Sequence, residues 1–367
     1  EDRFGKFSYK SGSICFLISR TIGASFRLYL IASVLQFAIF DSWNFPFFLT
    51  VIITLSLIWI YTYRSGIKTI IWTDTLQTTF MLATVLIIAI SVSRSLELNF
   101  SQVIDTIQNS TYSKVFFFDD FGDQKHFLKQ FLSGVFMAIV MTGLDQDQMQ
   151  KNLSCKNLGE AKKNMFVFST ILIVVDLLFL SLGALLYIYS SEIGLAIPSD
   201  ADMLFPNIAL NSGLPEYVGI LFIIGIIAAA YSSADSALTS LTTSFCVDII
   251  DFKKYNSEKQ IFIRKYSHLL LSLVLLGVIL LFRSINDQSV IKSLFTVAGY
   301  TYGPLLGLYS FGMFTKINIR DKLVPLICIV SPVICYFIKM RFSSIGFELL
   351  IINGLITFLL LLICRKN

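Results

Sequence analysis

Stretches of about 20 apolar residues, bounded by charged or turn-forming residues, recur ten times along this 367-residue chain, and a run of that length is what a helix needs to cross the hydrocarbon of a bilayer. They fall at roughly 12–40, 44–62, 68–91, 128–148, 164–189, 216–250, 267–282, 289–314, 323–339 and 346–364. A backbone in lipid must satisfy its own hydrogen bonds within one segment, so the pattern predicts an all-α integral membrane protein of about ten transmembrane helices. Little chain is left over for a soluble domain. Composition agrees, with 55% hydrophobic and 14% charged residues, 34 Phe and a mean hydropathy of +0.73, well above the apolar content of a soluble domain.

Charge placement predicts the orientation. With the amino end inside, the inner segments hold 19 Lys and Arg, the outer segments hold 8, and Arg20 and Arg27 fall within the first crossing. That asymmetry places both termini in the cytoplasm of a multi-pass protein of the plasma (inner) membrane. The same loops account for the net charge of +5, so no nucleic-acid partner is implied. The six cysteines form no CxxC pair and most lie inside expected helices, where they read as small packing residues. His126 and His268 are far apart in sequence, and no phosphate loop, dinucleotide fingerprint or HExxH motif occurs. An enzyme is not expected.

One apolar segment carries an unusual polar stripe. Gly225 to Asp248 reads GIIAAAYSSADSALTSLTTSFCVD, and on a helix turning about 100° per residue Ala229, Ser232, Ser233, Ser236 and Ser240 share an arc of roughly 100°, with Asp235 beside Ser232. Hydroxyls, a carbonyl and a carboxylate at membrane depth are hard oxygen ligands suited to an alkali cation. The competing reading is helix packing, in which small residues permit close approach and Ser or Thr bonds back to its own backbone. Ser240, Thr243 and Ser244 are expected to do that, and Ser232 and Ser233 are not.

Five strings in register, EDRFGKFSYK, SGIKTIIWTDTLQTTFML, TGLDQDQMQKNLSCKNLGEAKKN, AAAYSSADSALTSLTTSFCVDII and GYTYGPLLGLYSFGMF, resemble consecutive landmarks of the sodium/solute symporter family. Its members include sodium-coupled glucose, proline and sialic acid transporters. The resemblance implies a LeuT-type core of two inverted five-helix repeats with ligands near the midplane at broken helices. It makes residues 1–315 the equivalent of core helices three to ten, without the first two, and residues 316–367 two peripheral transmembrane helices. It implies a sodium site at the Ala229 carbonyl, Ser232 and Ser233, whose other half belongs to the first core helix. A further sodium site is implied at Asp74, Ser232, Asp235 and Ser236. Asp235 departs from the pattern, since relatives carry Ser there, and an extra carboxylate would tighten a cation or titrate a proton. Asp74 and Gln77 also spell a capping box at a helix amino end.

Arg27 sits near mid-membrane and calls for an anion. The resemblance suggests a substrate carboxylate held by its planar fork of donors, and the alternative is an ion pair with Asp176. Met141 and Thr142 stand where sugar transporters carry a stacking aromatic pair, which argues against a sugar and for a carboxylate, amino acid or other small polar solute. Thr142 and Gln146 join Arg27 as candidate substrate contacts, while Asp145 and Asp147 read as anchors of a helix end. DADMLFPNIA, residues 200–209, reads as a short amphipathic lid, and Gly303–Pro304 as a break suited to a gate. The expectation is a monomeric sodium-coupled symporter in the lipid bilayer, working by alternating access on a small-molecule solute. Proton coupling through Asp74 and Asp235, or a non-transporting sensor, are the alternatives.

Overall fold

The computed structural model describes residues 1–62, 67–285 and 289–366, and the side chains of 61–62, 67–73, 147, 150–151 and 230–232 lie outside that description. The described chain is helical. The order is α1 (Lys6–Leu35), α2 (Phe47–Thr62), α3 (Ile67–Ser95), α4 (Phe100–Gln108), α5 (Phe127–Ala138), α6 (Gln146–Leu153), α7 (Leu158–Glu192), α8 (Leu204–Asn211), α9 (Glu216–Ser244), α10 (Ser257–Ile285), α11 (Val290–Thr301), α12 (Gly303–Phe314), α13 (Val324–Arg341) and α14 (Leu349–Ile363). Each of the ten apolar stretches has become helix. Six segments are long and apolar enough to cross a membrane, and Phe47–Ile60, Phe127–Gly143 and Leu349–Ile363 are shorter apolar helices. The 289–314 stretch is two short helices, because α11 stops at Thr301 and α12 restarts at Gly303.

At the centre, α1 lies against α9. Ala24, Leu28 and Ala32 meet Ala234, Ala237, Leu238 and Leu241, with Val51, Leu55 and Ile58 of α2 and Leu271, Leu275 and Ile279 of α10 closing around them. Alanines at the crossing let two backbones approach, which is how helices associate when the surrounding lipid is as apolar as the side chains. Away from this core, α7 turns Phe166, Ile171, Ile173, Val174 and Leu180 outward, as lipid allows.

The break between α11 and α12 has a chemical cause. Pro304 has no N–H, so the carbonyl of Tyr300 four residues earlier loses its helical donor. Asn353 of α14 replaces it: its buried amide donates to the Tyr300 carbonyl at 2.9 Å and to the Gly299 carbonyl at 3.0 Å. Ser331 of α13 donates to the Asn353 side-chain oxygen, and Thr357 donates to Ser331 at 2.8 Å. The approach this requires explains two glycines. A Cβ on Gly303 would lie 2.3 Å from Asn353, and one on Gly307 would lie 2.5 Å from Thr357. The anticipated break at Gly303–Pro304 is therefore a backbone interruption stitched to α13 and α14.

Two helix starts are capped from far away in sequence. Asp321 accepts the backbone N–H groups of Phe7 and Ser8 at 2.9 and 2.7 Å, at the start of α1. Asp202 accepts the N–H of Val290 at 2.8 Å, at the start of α11, a helix whose own N-cap residue, Ser289, makes no side-chain cap bond. Burial raises the Asp202 carboxyl above its ordinary value in spite of that N–H. Asp202 belongs to the expected lid, which is a single 3-10 turn (Ala201–Met203) running into α8. Leu204, Ile208 and Ala209 of the lid pack on Leu182, Leu185 and Tyr189 of α7 and on Val218 and Phe222 of α9. The segment between α3 and α5 also holds α4, opened by a capping box between Asn99 and Gln102.

Asn353→Leu keeps the branched outline and heavy-atom count of the side chain but strands the carbonyls of Gly299 and Tyr300, so it should destabilise the solubilised protein by about 2–3 kcal/mol. Thermal melts in detergent will show this, and Thr357→Val should lower the midpoint less.

Candidate functional site

A cavity of about 370 Å³ lies inside the bundle where five elements converge. From α1 come Ser19, Arg20, Ile22, Gly23 and Arg27; from α3, Gln77, Thr78 and Met81. The turn between α5 and α6 contributes Met141 and Asp145, with Gln148 of α6. Ala229, Ser233 and Ser236 face it from α9, and Leu294, Val297, Ala298, Thr301 and Tyr302 from α11 and the break that follows. The α1 residues obey helical geometry: 20, 23 and 27 share one face, with the two arginines about 10 Å apart along the axis.

The floor is an ion pair. Nη1 of Arg20 lies 2.8 Å from Oδ2 of Asp145, and their side chains are 11% and 2% exposed. Asp145 also accepts the N–H of Gln148 in a long contact of 3.4 Å, so it anchors the start of α6 while it faces the cavity. The expected pairing of Arg27 with Asp176 does not occur: Asp176 is exposed on the outward side of α7, and Arg27 lines the cavity. Arg20 of α1 takes a carboxylate, that of Asp145 in the turn between α5 and α6.

The stripe on α9 divides as its hydroxyls are used. Ser240 donates to the Ala237 carbonyl at 3.0 Å, Thr243 to the Thr239 carbonyl at 2.8 Å and Ser244 to the Asp248 carboxylate at 2.6 Å. Among the described residues, Ser233 and Ser236 spend no hydroxyl on a carbonyl of their own helix, and both open onto the cavity. The side chain of Ser232 lies outside the described residues, as does that of Asp147. Asp235 is 2% exposed and takes a 3.4 Å contact from the Thr239 hydroxyl; it is buried next to the cavity and is not among its lining residues. Asp74 lies seven residues inside α3, which begins at Ile67, so it caps no helix start. It sits one turn from Gln77 and Thr78, which do line the cavity.

Thr142 falls in a π-helical stretch, Ile139–Gly143, at the end of α5, and is half-buried outside the lining set. Gln146 faces a second cavity of about 400 Å³ between the start of α1, the end of α9 and α12. There the Tyr9 hydroxyl donates to Asp248, the same carboxylate that Ser244 holds. Gly303 and Pro304 are buried at the α11–α12 break, next to the cavity-lining Tyr302. Reasoning from sequence did not single out Gln77, Thr78, Gln148, Thr301 and Tyr302. Gln77 was visible inside TDTLQ, and Thr301 and Tyr302 stand directly before Gly-Pro, where a helix break exposes backbone.

Chemically, this is a water-sized oxygen-rich niche on one wall, a guanidinium on the facing wall and a closed ion pair below. Such a cavity can hold a cation and a small anion together, and among the described residues no nucleophile in it is paired with a base.

The family model of the sodium:solute symporter family matches residues 7–321. The chain is 24% identical over 283 residues to the sodium/sialic acid symporter NanT of Aliivibrio fischeri, covering 75% of this chain and 55% of that protein. It is 27% identical over 323 residues to the sodium-dependent multivitamin transporter of Oryctolagus cuniculus, covering 86% and 49%. With sodium-coupled monocarboxylate transporter 1 of Xenopus laevis it shares 25% identity over 343 residues, covering 89% and 53%. The chain thus spans about half the length of these relatives. Its fold is similar to that of a Na+-coupled sialic acid symporter solved in a substrate-bound outward-open state, with a TM-score of 0.79 at 19% identity over 100% of this chain and 77% of that one.

Removing one partner of the buried pair leaves the other charge stranded. Asp145→Ala should cost about 3–5 kcal/mol, and the double change Arg20→Met with Asp145→Leu should cost much less than the two single changes added together. A double-mutant cycle on thermal melts measures the difference.

Proposed function

The chain belongs to the sodium:solute symporter family, and we propose that it works as the sodium-driven core of a secondary symporter for a small organic solute bearing a carboxylate. The observation that carries this reading is that Ser233, Ser236 and Ala229 of α9 share one cavity with Arg27 of α1. Sodium is coordinated by the Ala229 carbonyl with Ser232 and Ser233, a set of hard neutral oxygens that suits a monovalent cation. A second ion lies towards Ser236, with Asp235, its neighbour on α9, and Asp74 of α3 as the carboxylates that would lend negative charge. Arg27 takes the solute carboxylate with two parallel N–H donors. Met141 offers this cavity an apolar surface where sugar transporters carry a stacking aromatic, and Tyr302 is the aromatic side chain among its described lining residues. Relatives named for sialic acid and for monocarboxylates support an acidic solute.

Coupling follows from shared geometry. An ion among the α9 oxygens favours the arrangement in which α1 and α9 stand as they do here, and that arrangement positions Arg27, so ion and solute raise each other's affinity. Each sodium entering down 100 mV contributes about 2.3 kcal/mol. Thr142 and Gln146 contact the solute along its exit, Gln146 in the second cavity beside Tyr9 and Asp248. Gly303–Pro304 is the hinge about which α11 moves, with Asn353 holding its carbonyls in one of the two states. In this reading residues 1–315 form the transport core, 316–367 are peripheral, both termini are cytoplasmic, and the protein is a monomer of the plasma (inner) membrane.

In the full-length protein, Ser233→Ala should raise the sodium concentration for half-maximal uptake about fivefold, equivalent to about 1 kcal/mol of ion binding. Arg27→Lys keeps the charge but loses the fork, and should raise the half-saturating concentration of a carboxylate solute while leaving the sodium curve, measured at saturating solute, nearly in place. Radiolabelled uptake at fixed pH, with choline replacing sodium as the control, measures both. An unchanged sodium curve for Ser233→Ala contradicts the ion site, and undiminished uptake in choline contradicts sodium coupling.

A further inference from the structure

A larger cavity, about 790 Å³, opens at the end of the bundle opposite the chain termini. The termini meet at the other end, where Arg3 bonds the carbonyls of Thr315 and Ile317 and Lys366 bonds Asn318. From there α1 climbs to Phe26, about 30 Å along its axis. The far cavity is bounded by Phe26, the 123–130 segment, and the facing ends of α10, α11 and α13. Val297 lines both it and the central cavity, so the two spaces are neighbours at this position of α11. Beside that side chain, Phe26 and Phe282 stack with ring centroids 3.8 Å apart.

Among the described residues lining this space, three lysines stand against one acid, Asp123. Lys125, Lys292 and Lys339 all face the cavity, and among the described residues none of the three has a carboxylate within 4 Å of its ammonium. The nearby acids are engaged elsewhere. Asp123 accepts the backbone N–H of Lys125 at 2.9 Å, Asp202 accepts the N–H of Val290 at 2.8 Å, and Glu348 lies 3.6 Å from Lys129. Lys339 is half-buried, with its ammonium 5.8 Å from the centre of the Tyr300 ring. Three ammonium groups against the single lining carboxylate of Asp123 leave the described lining net positive, and that excess focuses a positive potential into the space between them.

We propose that this vestibule is an anion-binding antechamber in which Lys292, Lys339 and Lys125 hold the carboxylate of a small organic anion before it passes Val297 into the central cavity. The anion site rests on the lysines and their cavity; its use as an antechamber rests on the symport reading above. Point-charge ammonium groups suit a waiting position, because they attract a carboxylate without the bidentate geometry that would fix it in one pose. Released past Val297, the same carboxylate meets Arg27, whose planar fork does fix it.

The test uses the full-length protein in phosphatidylcholine vesicles, so that no anionic lipid competes. Pyridoxal phosphate, an anionic aldehyde, is reacted with exposed lysines and reduced with borohydride, and labelling at each lysine is read by mass spectrometry. Pyruvate should slow the labelling of Lys339 several-fold, and more than chloride or sulfate at the same ionic strength. Lys292→Gln, with an unchanged melting temperature, should remove most of that protection. Equal slowing by all three salts would mean screening only and would overturn the proposal, as would labelling of Lys339 that pyruvate leaves untouched or protection that survives Lys292→Gln. Sodium-driven uptake is measured on the same vesicles. Protection without uptake would leave the anion site standing and count against symport; uptake without protection would do the reverse.

Discussion

A guanidinium on a membrane helix has to find oxygen, and the pairing of Arg20 with Asp145 at 2.8 Å is the contact around which the interior is arranged. It joins the first helix to the turn between α5 and α6, elements 125 residues apart, and closes the bottom of the central cavity. A buried pair of this kind contributes little net stability, since taking two charges out of water costs about what their attraction returns. It contributes register. With Arg20 committed below, helical geometry leaves Arg27 two turns higher on the same face, with Gly23 between them and the α9 hydroxyls opposite.

Interrupted backbone surrounds that arrangement. Each of α1, α5 and α9 runs into a π-helical stretch at its carboxyl end, at Gln36–Phe40, Ile139–Gly143 and Phe245–Ile250, and α11 breaks before α12. Wide turns and breaks leave carbonyls without helical donors, which lipid does not tolerate unless protein or a cavity supplies partners. Here Asn353 supplies them at the α11–α12 break, and the α5 interruption borders the cavity through Met141. Rigid helices joined at such points move as bodies, and four of the elements that line the cavity or lead from it are joined in this way.

Much of this was legible in the chain. Apolar length and the position of turn residues located the ten apolar helical stretches but not the short helices α4 and α6, and the 3.6-residue period of α9 placed Ser233, Ser236 and Ala229 together on the face that lines the cavity. Long-range choices were not legible. Whether Arg20 or Arg27 takes a carboxylate, and from which helix, depends on how α1 packs against the α5–α6 turn, and no local pattern encodes that. The same holds for Asp321 and Asp202, which cap helices 313 and 88 residues away and look like ordinary loop acids in the sequence. Asp74 shows the converse, a motif that satisfies a local capping rule yet lies well inside α3. The lysine vestibule was scattered over three separate outer segments and became a cluster only when α5, α11 and α13 brought their ends together.

The claim that ties these features together is that the oxygens of α9 and the cavity beside them form a seat for sodium. Equilibrium binding of radioactive sodium to the purified full-length protein, at constant ionic strength with choline as the replacement cation, tests it without reference to any solute. Saturable binding that potassium fails to displace, accompanied by a melting temperature that climbs with the logarithm of sodium concentration, is the predicted result. Binding that stays linear with concentration, with a melting temperature indifferent to whether sodium or choline is present, would contradict the account.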